Sequence, residues 1–125
     1  MTVPTEGDAH RAADSFRMLA DPTRVKILWA LLQGESNVGC LAELVGTSPT
    51  TVSQHLSKLR LAGLVDSRRE GTFIYYSATS DHVRRLLAEA LSHAEHSSGA
   101  ATSGDTHHYA LLDKEDLRSR ETPSV

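Results

Sequence analysis

The sequence predicts a mainly α-helical domain that carries one small β-hairpin, with its elements in the order α-α-α-α-β-β-α. Two observations lead to this fold class. Apolar residues recur at spacings of three and four over four stretches before residue 63 and over one stretch after residue 80, as they do in amphipathic helices. Between these stretches, residues 64–69 and 72–77 form two short runs on either side of a glycine, and the second run is rich in β-branched and aromatic side chains, which is typical of a hairpin.

The first two predicted helices meet at an aspartate-proline pair. We expect the first helix over about residues 9–20, after an N-terminal arm, residues 1–8, that we expect to be disordered. Asp21 and Pro22 then supply an N-cap and a first helical residue for a second helix, which stops at Gly34. The residues expected to face the core from these two helices are Ala12, Phe16, Leu19, Val25, Leu28, Leu31 and Leu32.

The third and fourth predicted helices are separated by a very short turn. The third helix ends at Gly46, and only Thr47 then precedes Ser48, a preferred N-cap. Pro49 suits the first turn of the fourth helix, and Gly63 supplies its stop. Two helices joined so tightly are typical of a helix-turn-helix, which places its second helix in the DNA major groove. The apolar positions of the two helices are Val38, Leu41, Ala42, Val45, Val52, Leu56 and Leu59.

The exposed face of the fourth helix predicts contact with DNA. Its side chains are short or carry an amide, so they can hydrogen-bond phosphates and base edges without bulk. A solvated helix surface is the alternative for this face in isolation, and the preceding tight turn favours DNA. We expect Lys58 to contact phosphate, and because His55 borders the buried face, packing is its alternative role. The residues expected to approach the major groove are Thr50, Thr51, Ser53, Gln54 and His55.

The hairpin that follows the fourth helix predicts a wing. Residues 64–69 and 72–77 form its strands, and Gly71 lies in the intervening turn. Arg68 and Arg69 would bring positive charge to its tip. After a helix-turn-helix, contact with phosphate or with the minor groove is favoured over a merely solvated strand edge. The pattern as a whole therefore predicts a winged helix-turn-helix.

The last helix predicts a homodimer. It extends over about residues 80–96, and a helix with so broad an apolar stripe in so small a domain needs a partner surface. Such a dimer would bind double-stranded DNA at an inverted repeat, with half-sites about 34 Å apart. The stripe consists of Val83, Leu86, Leu87, Ala90, Leu91 and Ala94.

Three histidines on the last helix indicate a metal site shared between two chains. His93 and His96 are three residues apart, close enough to bind one ion. His82 lies on the same face, but the helical rise separates it from His93 by roughly 16 Å, whereas ligands lie about 2.1 Å from a metal. Two such helices packed antiparallel across a two-fold axis would place His82 of one chain beside His93 and His96 of the other. The alternative is a set of unrelated surface histidines.

The composition excludes several other classes of protein. The single cysteine, Cys40, rules out an intramolecular disulfide and a cysteine-rich zinc module. No apolar run approaches the roughly 20 residues of a membrane span, and the N-terminus lacks the features of a signal peptide, so we expect a cytoplasmic protein without a membrane partner. A metalloenzyme is excluded because there is no HExxH motif, no phosphate loop and no nucleophile with a placed base. We expect one domain over residues 9–97 and a flexible polar tail over residues 98–125.

Five motifs of the chain carry a resemblance to a known family: FRMLADPTRVKIL at 16–28, VGCLAELVG at 38–46, SPTTVSQHLSKLRLAGLV at 48–65, REGTFIYYS at 69–77 and DHVRRLLAEALSHAEH at 81–96. Over about residues 12–97 the chain resembles the ArsR/SmtB family of metal-sensing winged-helix repressors. The resemblance implies a homodimer that represses a metal-efflux or resistance gene and leaves its operator when metal binds the last helix. Within the family the chain is most similar to the nickel/cobalt sensors of the NmtR/KmtR type, which favours nickel or cobalt as the effector, with zinc as the alternative.

The resemblance also bears on the metal ligands. The family's zinc site begins with an aspartate at the position of Ser80, where this chain departs from the pattern. The thiolate sensors of the family carry a Cys-x-Cys at the positions of Asn37 and Gly39, so thiolate sensing of arsenic or cadmium is not expected. Extra imidazoles suit six-coordinate nickel or cobalt better than tetrahedral zinc. The resulting ligand candidates are His82, His93, His96, His107 and His108, with Asp81, Glu95 and His10 as weaker ones. A zinc sensor, and a winged-helix regulator that responds to a redox signal or to no small ligand, remain as alternatives.

Overall fold

The computed structural model describes residues 1–78 and 80–98, which form five helices and one antiparallel hairpin in the predicted order. The helices are α1 (Glu6–Leu19), α2 (Pro22–Gln33), α3 (Val38–Val45), α4 (Pro49–Leu61) and α5 (Asp81–Ser98), and the strands are β1 (Val65–Glu70) and β2 (Phe73–Ala78). This arrangement confirms the predicted winged helix-turn-helix. None of the helices in these ranges is long and apolar enough to cross a membrane. Residues 99–125 of the predicted tail, with His107 and His108, lie outside the described residues.

Side-chain caps determine where the helices begin. In the first four helices the capping side chain accepts a hydrogen bond from the backbone N–H three residues further along, which satisfies one of the N–H groups that a helix start leaves unpaired. The caps are Thr5 for α1, Asp21 for α2, Asn37 for α3 and Ser48 for α4.

The N-terminal boundary requires a correction. Residues 1–8 were expected to be disordered, but α1 begins at Glu6, inside that range. The Thr5 cap starts the helix there, and the acidic Glu6 and Asp8 suit its first turn because they complement the positive end of the helix dipole.

One apolar cluster joins α2, α3, α4, α5 and β1. The helix α2 lies at its centre, since α1, α3, α5 and β2 all contact it. Ile27 of α2 is fully buried although the predicted stripe did not include it, whereas Val25, which the stripe did include, is only partly buried. A helix with neighbours on several sides buries more than one stripe of residues. Its apolar periodicity therefore predicts that the segment is helical better than it predicts which of its residues are buried. The cluster consists of Ile27, Leu28, Leu31, Leu32, Leu41, Ala42, Val52, Leu56, Leu59, Val65, Val83 and Leu87.

The wing is attached to the helical core through the loop between α2 and α3. Both strands begin one residue later than predicted, so that Glu70 pairs with Phe73 around the turn at Gly71 and Thr72. On the other edge of β2, Ser36 exchanges two backbone hydrogen bonds with Tyr76, with N–O distances of 3.0 and 2.7 Å. The loop is therefore joined to the outer edge of the hairpin by a single antiparallel bridge.

The first and last helices leave apolar side chains uncovered within one chain. No residue of α1 is buried, and Phe16, one of its predicted core residues, remains 58% exposed. Leu86 on α5 is 40% exposed. An apolar groove lies between α1, α2 and α5, and Phe16, Leu19, Val25, Leu86, Ala90 and Leu91 line it.

Candidate DNA-binding surface and metal ligands

The helix α4 presents a polar face opposite its buried one. Val52, Leu56 and Leu59 are completely buried, and this anchors the helix in the core along one side. The predicted DNA-contacting residues Thr50, Ser53, Gln54 and Lys58 are all exposed on the other side. The geometry of the tight turn is set by Gly46, whose φ of 77° lies in the left-handed region. The α4 surface formed by Thr50, Ser53, Gln54 and Lys58 is called the reading face below.

Thr51, another residue expected in the major groove, takes part in the cap of α4. Its backbone N–H donates to the Ser48 hydroxyl, and the Ser48 hydroxyl donates to the Thr51 side-chain oxygen over 2.9 Å. The Thr51 side chain is half-buried. Its hydroxyl therefore has a local partner that fixes the first turn of α4.

His55 lies against the start of α2. Its Nδ1 accepts a hydrogen bond from Nε of Arg24 over 3.1 Å, and its Nε2 lies 3.8 Å from a carboxylate oxygen of Asp21. The side chain is 16% exposed. Of the two roles considered for His55, its contacts are those of a residue packed between helices. These contacts tie α4 to the N-terminus of α2.

Asp21 is held in its ionised form by the same group of residues. The backbone N–H of Arg24 donates to the carboxylate over 3.0 Å, and this hydrogen bond lowers the pKa of Asp21 from its usual value, with a smaller contribution from the charge of Arg24. The guanidinium of Arg24 also donates to the backbone carbonyl of Met18 at the end of α1. Arg24 thus links three helices, and the sequence pattern gave no signal of this role.

The two wing arginines have different environments. Arg68 donates two hydrogen bonds to the carboxylate of Glu35, of 2.9 and 2.6 Å, and a third to Glu70 over 2.8 Å. Its guanidinium lies over the ring of Tyr75, 4.9 Å from the centroid. Arg69 is exposed and, because side chains alternate along a strand, lies on the opposite face of the hairpin. Glu35 has no sequence signal, since it belongs to a loop and meets Arg68 only through the fold.

The histidines of α5 are all accessible to a metal ion. His82, His93 and His96 are exposed, and Nε2 of His93 lies 3.3 Å from the Ser97 hydroxyl. Within the described part of one chain, no three side chains of histidine, cysteine, aspartate or glutamate are close enough together to hold a metal. A site on these histidines would need ligands from a second chain or from residues 99–125.

The weaker ligand candidates already have neighbours. Asp81 lies 3.9 Å from Nε of the buried Arg84, His10 lies 3.5 Å from Glu6 one turn away on α1, and Glu95 is half-buried on α5. At the start of α5, the Ser80 hydroxyl accepts a hydrogen bond from the backbone N–H of Val83 over 3.3 Å. Ser80 therefore acts as the N-cap at the position where the resemblance predicts an aspartate ligand.

Comparison with known proteins identifies relatives with the same architecture. Residues 21–67 match the family model of the bacterial regulatory proteins of the arsR family. The chain is 54% identical over 81 residues to the HTH-type transcriptional regulator KmtR of Mycobacterium tuberculosis, an alignment that covers 65% of this chain and 62% of KmtR. It is 42% identical over 88 residues to NmtR, an HTH-type transcriptional regulator of the same organism, covering 70% of this chain and 73% of NmtR. The chain thus matches less than two thirds of the length of KmtR.

A solved structure extends the similarity to three dimensions. The solution structure of a homodimeric winged helix-turn-helix DNA-binding domain from Mycobacterium bovis, a possible ArsR-family transcriptional regulator, superimposes with a TM-score of 0.63 at 35% identity. The match covers 76% of this chain and 91% of that domain. The helices, the wing and their order are therefore shared with a domain that is a homodimer.

Proposed function

Because the chain belongs to the arsR family of bacterial regulatory proteins, a family of DNA-binding transcription regulators and not of enzymes, we propose that it is a metal-responsive repressor. The observation that carries the proposal is the reading face of α4, which is held outward by three fully buried residues and is separated from α3 by a turn of only three residues. Gln54 at its centre can bond base edges bidentately, whereas Lys58 and the exposed Arg69 suit phosphates. The target is double-stranded operator DNA.

The active species is a homodimer joined through α1 and α5. The uncovered apolar side chains Phe16 and Leu86 support this assembly, because burial of such side chains drives association. The homodimeric state of the similar domain from Mycobacterium bovis supports it as well. A two-fold axis between the chains implies an operator with inverted half-sites about 34 Å apart.

The effector is a divalent metal, nickel or cobalt by preference, bound on α5 across the dimer axis. The exposed His82, His93 and His96 support this site, since they are accessible and no third ligand lies close enough to complete a site within residues 1–78 and 80–98 of one chain. His107 and His108 would complete six-coordination, with Asp81, Glu95 and His10 as subsidiary candidates. The metal would bridge the two α5 helices and fix the relative orientation of the two reading faces. Coupling of this kind between two sites is typically worth about 1–3 kcal/mol.

Operator release by metal tests this function. The purified protein first selects its binding sequence from random duplex DNA, and affinity for the selected duplex is then measured by fluorescence anisotropy without metal and with nickel, cobalt or zinc. We expect tight binding without metal and an affinity about 5- to 150-fold lower with nickel or cobalt. Release by zinc alone would assign the protein to zinc sensing, whereas release by an oxidant with no response to metal would favour redox sensing through Cys40. Selection of no DNA sequence would contradict the proposal.

A further inference from the structure

Arg68 is surrounded by acceptors from two directions. The Glu35 carboxylate receives two of its N–H groups and the Glu70 carboxylate receives a third, while Tyr75 covers one face of the guanidinium. A fork of two parallel hydrogen bonds between arginine and a carboxylate is the geometry that arginine also uses to bind a phosphate. In the free protein these carboxylates thus take the place that a DNA phosphate would take.

We call this arrangement of Glu35 and Glu70 around Arg68 the carboxylate clamp. It also changes the charge that the wing presents. Two carboxylates around one guanidinium leave the group formed by Glu35, Arg68 and Glu70 with a net negative charge. The hydrogen bonds from Arg68 lower the pKa of Glu35, so this carboxylate stays ionised at neutral pH. An approaching phosphate is therefore repelled by the group that contains the arginine. Arg69, on the other face of the hairpin, remains available.

We propose that Glu35 is an electrostatic brake on DNA binding, which holds Arg68 of the wing in an intramolecular carboxylate clamp that a DNA phosphate must displace. The inference rests on the proposed DNA-binding function and adds a residue outside both the reading face and the wing strands. The backbone bridge between Ser36 and Tyr76 places Glu35 beside Arg68, and its two hydrogen bonds do not involve the Glu35 side chain. The wing thus keeps its attachment to the core while its arginine changes partner.

Two roles of Glu35, a brake that weakens DNA binding or a contact that stabilises the wing, predict opposite results when its carboxylate is removed. If Glu35 mainly braces the wing, its loss disorders the wing and weakens DNA binding. If it is a brake, the variant Glu35→Gln makes the group around Arg68 neutral instead of negative, leaves Arg68 paired with Glu70, and binds DNA more tightly. Each added phosphate contact steepens the dependence of log K on log salt concentration by about 0.9, so a dimer should gain about 1.8 in slope.

The test measures the affinity of the full-length protein for one fixed random-sequence duplex across a series of salt concentrations. We expect Glu35→Gln to raise the affinity about threefold or more at low salt and to steepen the slope as calculated. Asp66→Asn is the matched control, because it removes one carboxylate from the same face of β1 without touching the clamp. The gain should be absent when Arg68→Ala is already present, which isolates the pairwise interaction in a double-mutant cycle.

Four outcomes would overturn the brake. These are unchanged or weaker binding by a folded Glu35→Gln variant, a gain no larger than that of Asp66→Asn, a gain that persists with Arg68→Ala, and an unchanged salt slope.

If Glu35→Gln lowers the melting temperature markedly, Glu70→Gln opens the other half of the clamp and should show the same direction of change. Wild-type protein that binds no duplex at any salt concentration would overturn the proposed function together with the brake. Wild-type binding without a gain in the variants would overturn the brake alone.

Discussion

Asp21 serves two helices at once. Its carboxylate caps α2 by accepting the N–H of Arg24, and it lies close to His55 on α4. The capping role is visible in the sequence as an Asp-Pro pair. The contact to His55 is not, because it joins residues 34 positions apart that only the packing of α4 against α2 brings together.

Substitutions of Asp21 should separate the contribution of its capping hydrogen bond to stability from the contribution of its charge. We expect Asp21→Ala to lower the free energy of unfolding by about 1 kcal/mol, since the N-cap hydrogen bond is lost. Asp21→Asn, the matched control, keeps a capping oxygen and should cost less. Urea denaturation measured by circular dichroism gives both values, and equal losses in the two variants would show that the cap contributes little.

The same residue predicts the direction of a pH dependence. Because the pKa of Asp21 is lowered in the folded chain, its contribution is fully present above the unfolded-state pKa of about 3.9 and disappears as the pH falls through the lower folded value. The stability difference between wild type and Asp21→Asn should therefore shrink in acid. A difference that grows as the pH falls below 4 would contradict this assignment.

Local sequence predicts the helices and strands of this fold better than it predicts the contacts between them. The helices and the hairpin follow from apolar periodicity, capping residues and glycine, and their predicted order is confirmed. The predicted start of α1 is wrong by three residues, because Thr5 caps the helix and it begins at Glu6. The contacts of Arg68 and His55 could not be predicted, since their partners Glu35 and Arg24 lie more than 30 residues away along the chain and only the fold brings them together.

At the element scale, Gly46 determines how α3 turns into α4. Its φ of 77° is unfavourable for a residue with a side chain, and we expect Gly46→Ala to cost about 1 kcal/mol or more of stability. Gly34→Ala is the matched control, because Gly34 is extended, with φ of 167°, and has open space where a Cβ would be added. Thermal unfolding of the two variants should show a clear loss only for Gly46→Ala. Equal losses would mean that the turn accepts another conformation.

At the scale of the whole molecule, the uncovered surfaces of α1 and α5 should join two chains. We expect Phe16→Glu or Leu86→Glu to convert a dimer into a monomer, because each buries a charge in an apolar interface. Leu61→Glu is the matched control, since Leu61 is 90% exposed at the end of α4 and lies outside the groove between α1, α2 and α5. Size-exclusion chromatography with light scattering at micromolar concentration would measure the mass. A dimer that survives both substitutions, or a monomeric wild type, would contradict this interface and the shared metal site.

The metal response should depend on both α5 and the tail. Deletion of residues 98–125 removes His107 and His108, so we expect a weaker response to nickel with unchanged DNA affinity in the absence of metal. His93→Ala should abolish the response, because His93 is one of the ligands proposed to bind the metal across the dimer axis. His55→Ala is the control histidine for nickel binding measured without DNA, since its contacts lie with Arg24 and Asp21 rather than on α5.

Protonation of the ligands provides an independent check of the same site. Neutral imidazole is the form that binds metal, so nickel affinity should fall as the pH drops below about 6.5. Isothermal titration with nickel, cobalt and zinc, for wild type and the truncated chain over a pH series, measures this directly. Nickel binding that is independent of pH in this range would exclude histidine ligation. A response to zinc that the truncation leaves intact would instead place the effector site on α5 alone, with tetrahedral coordination across the dimer axis.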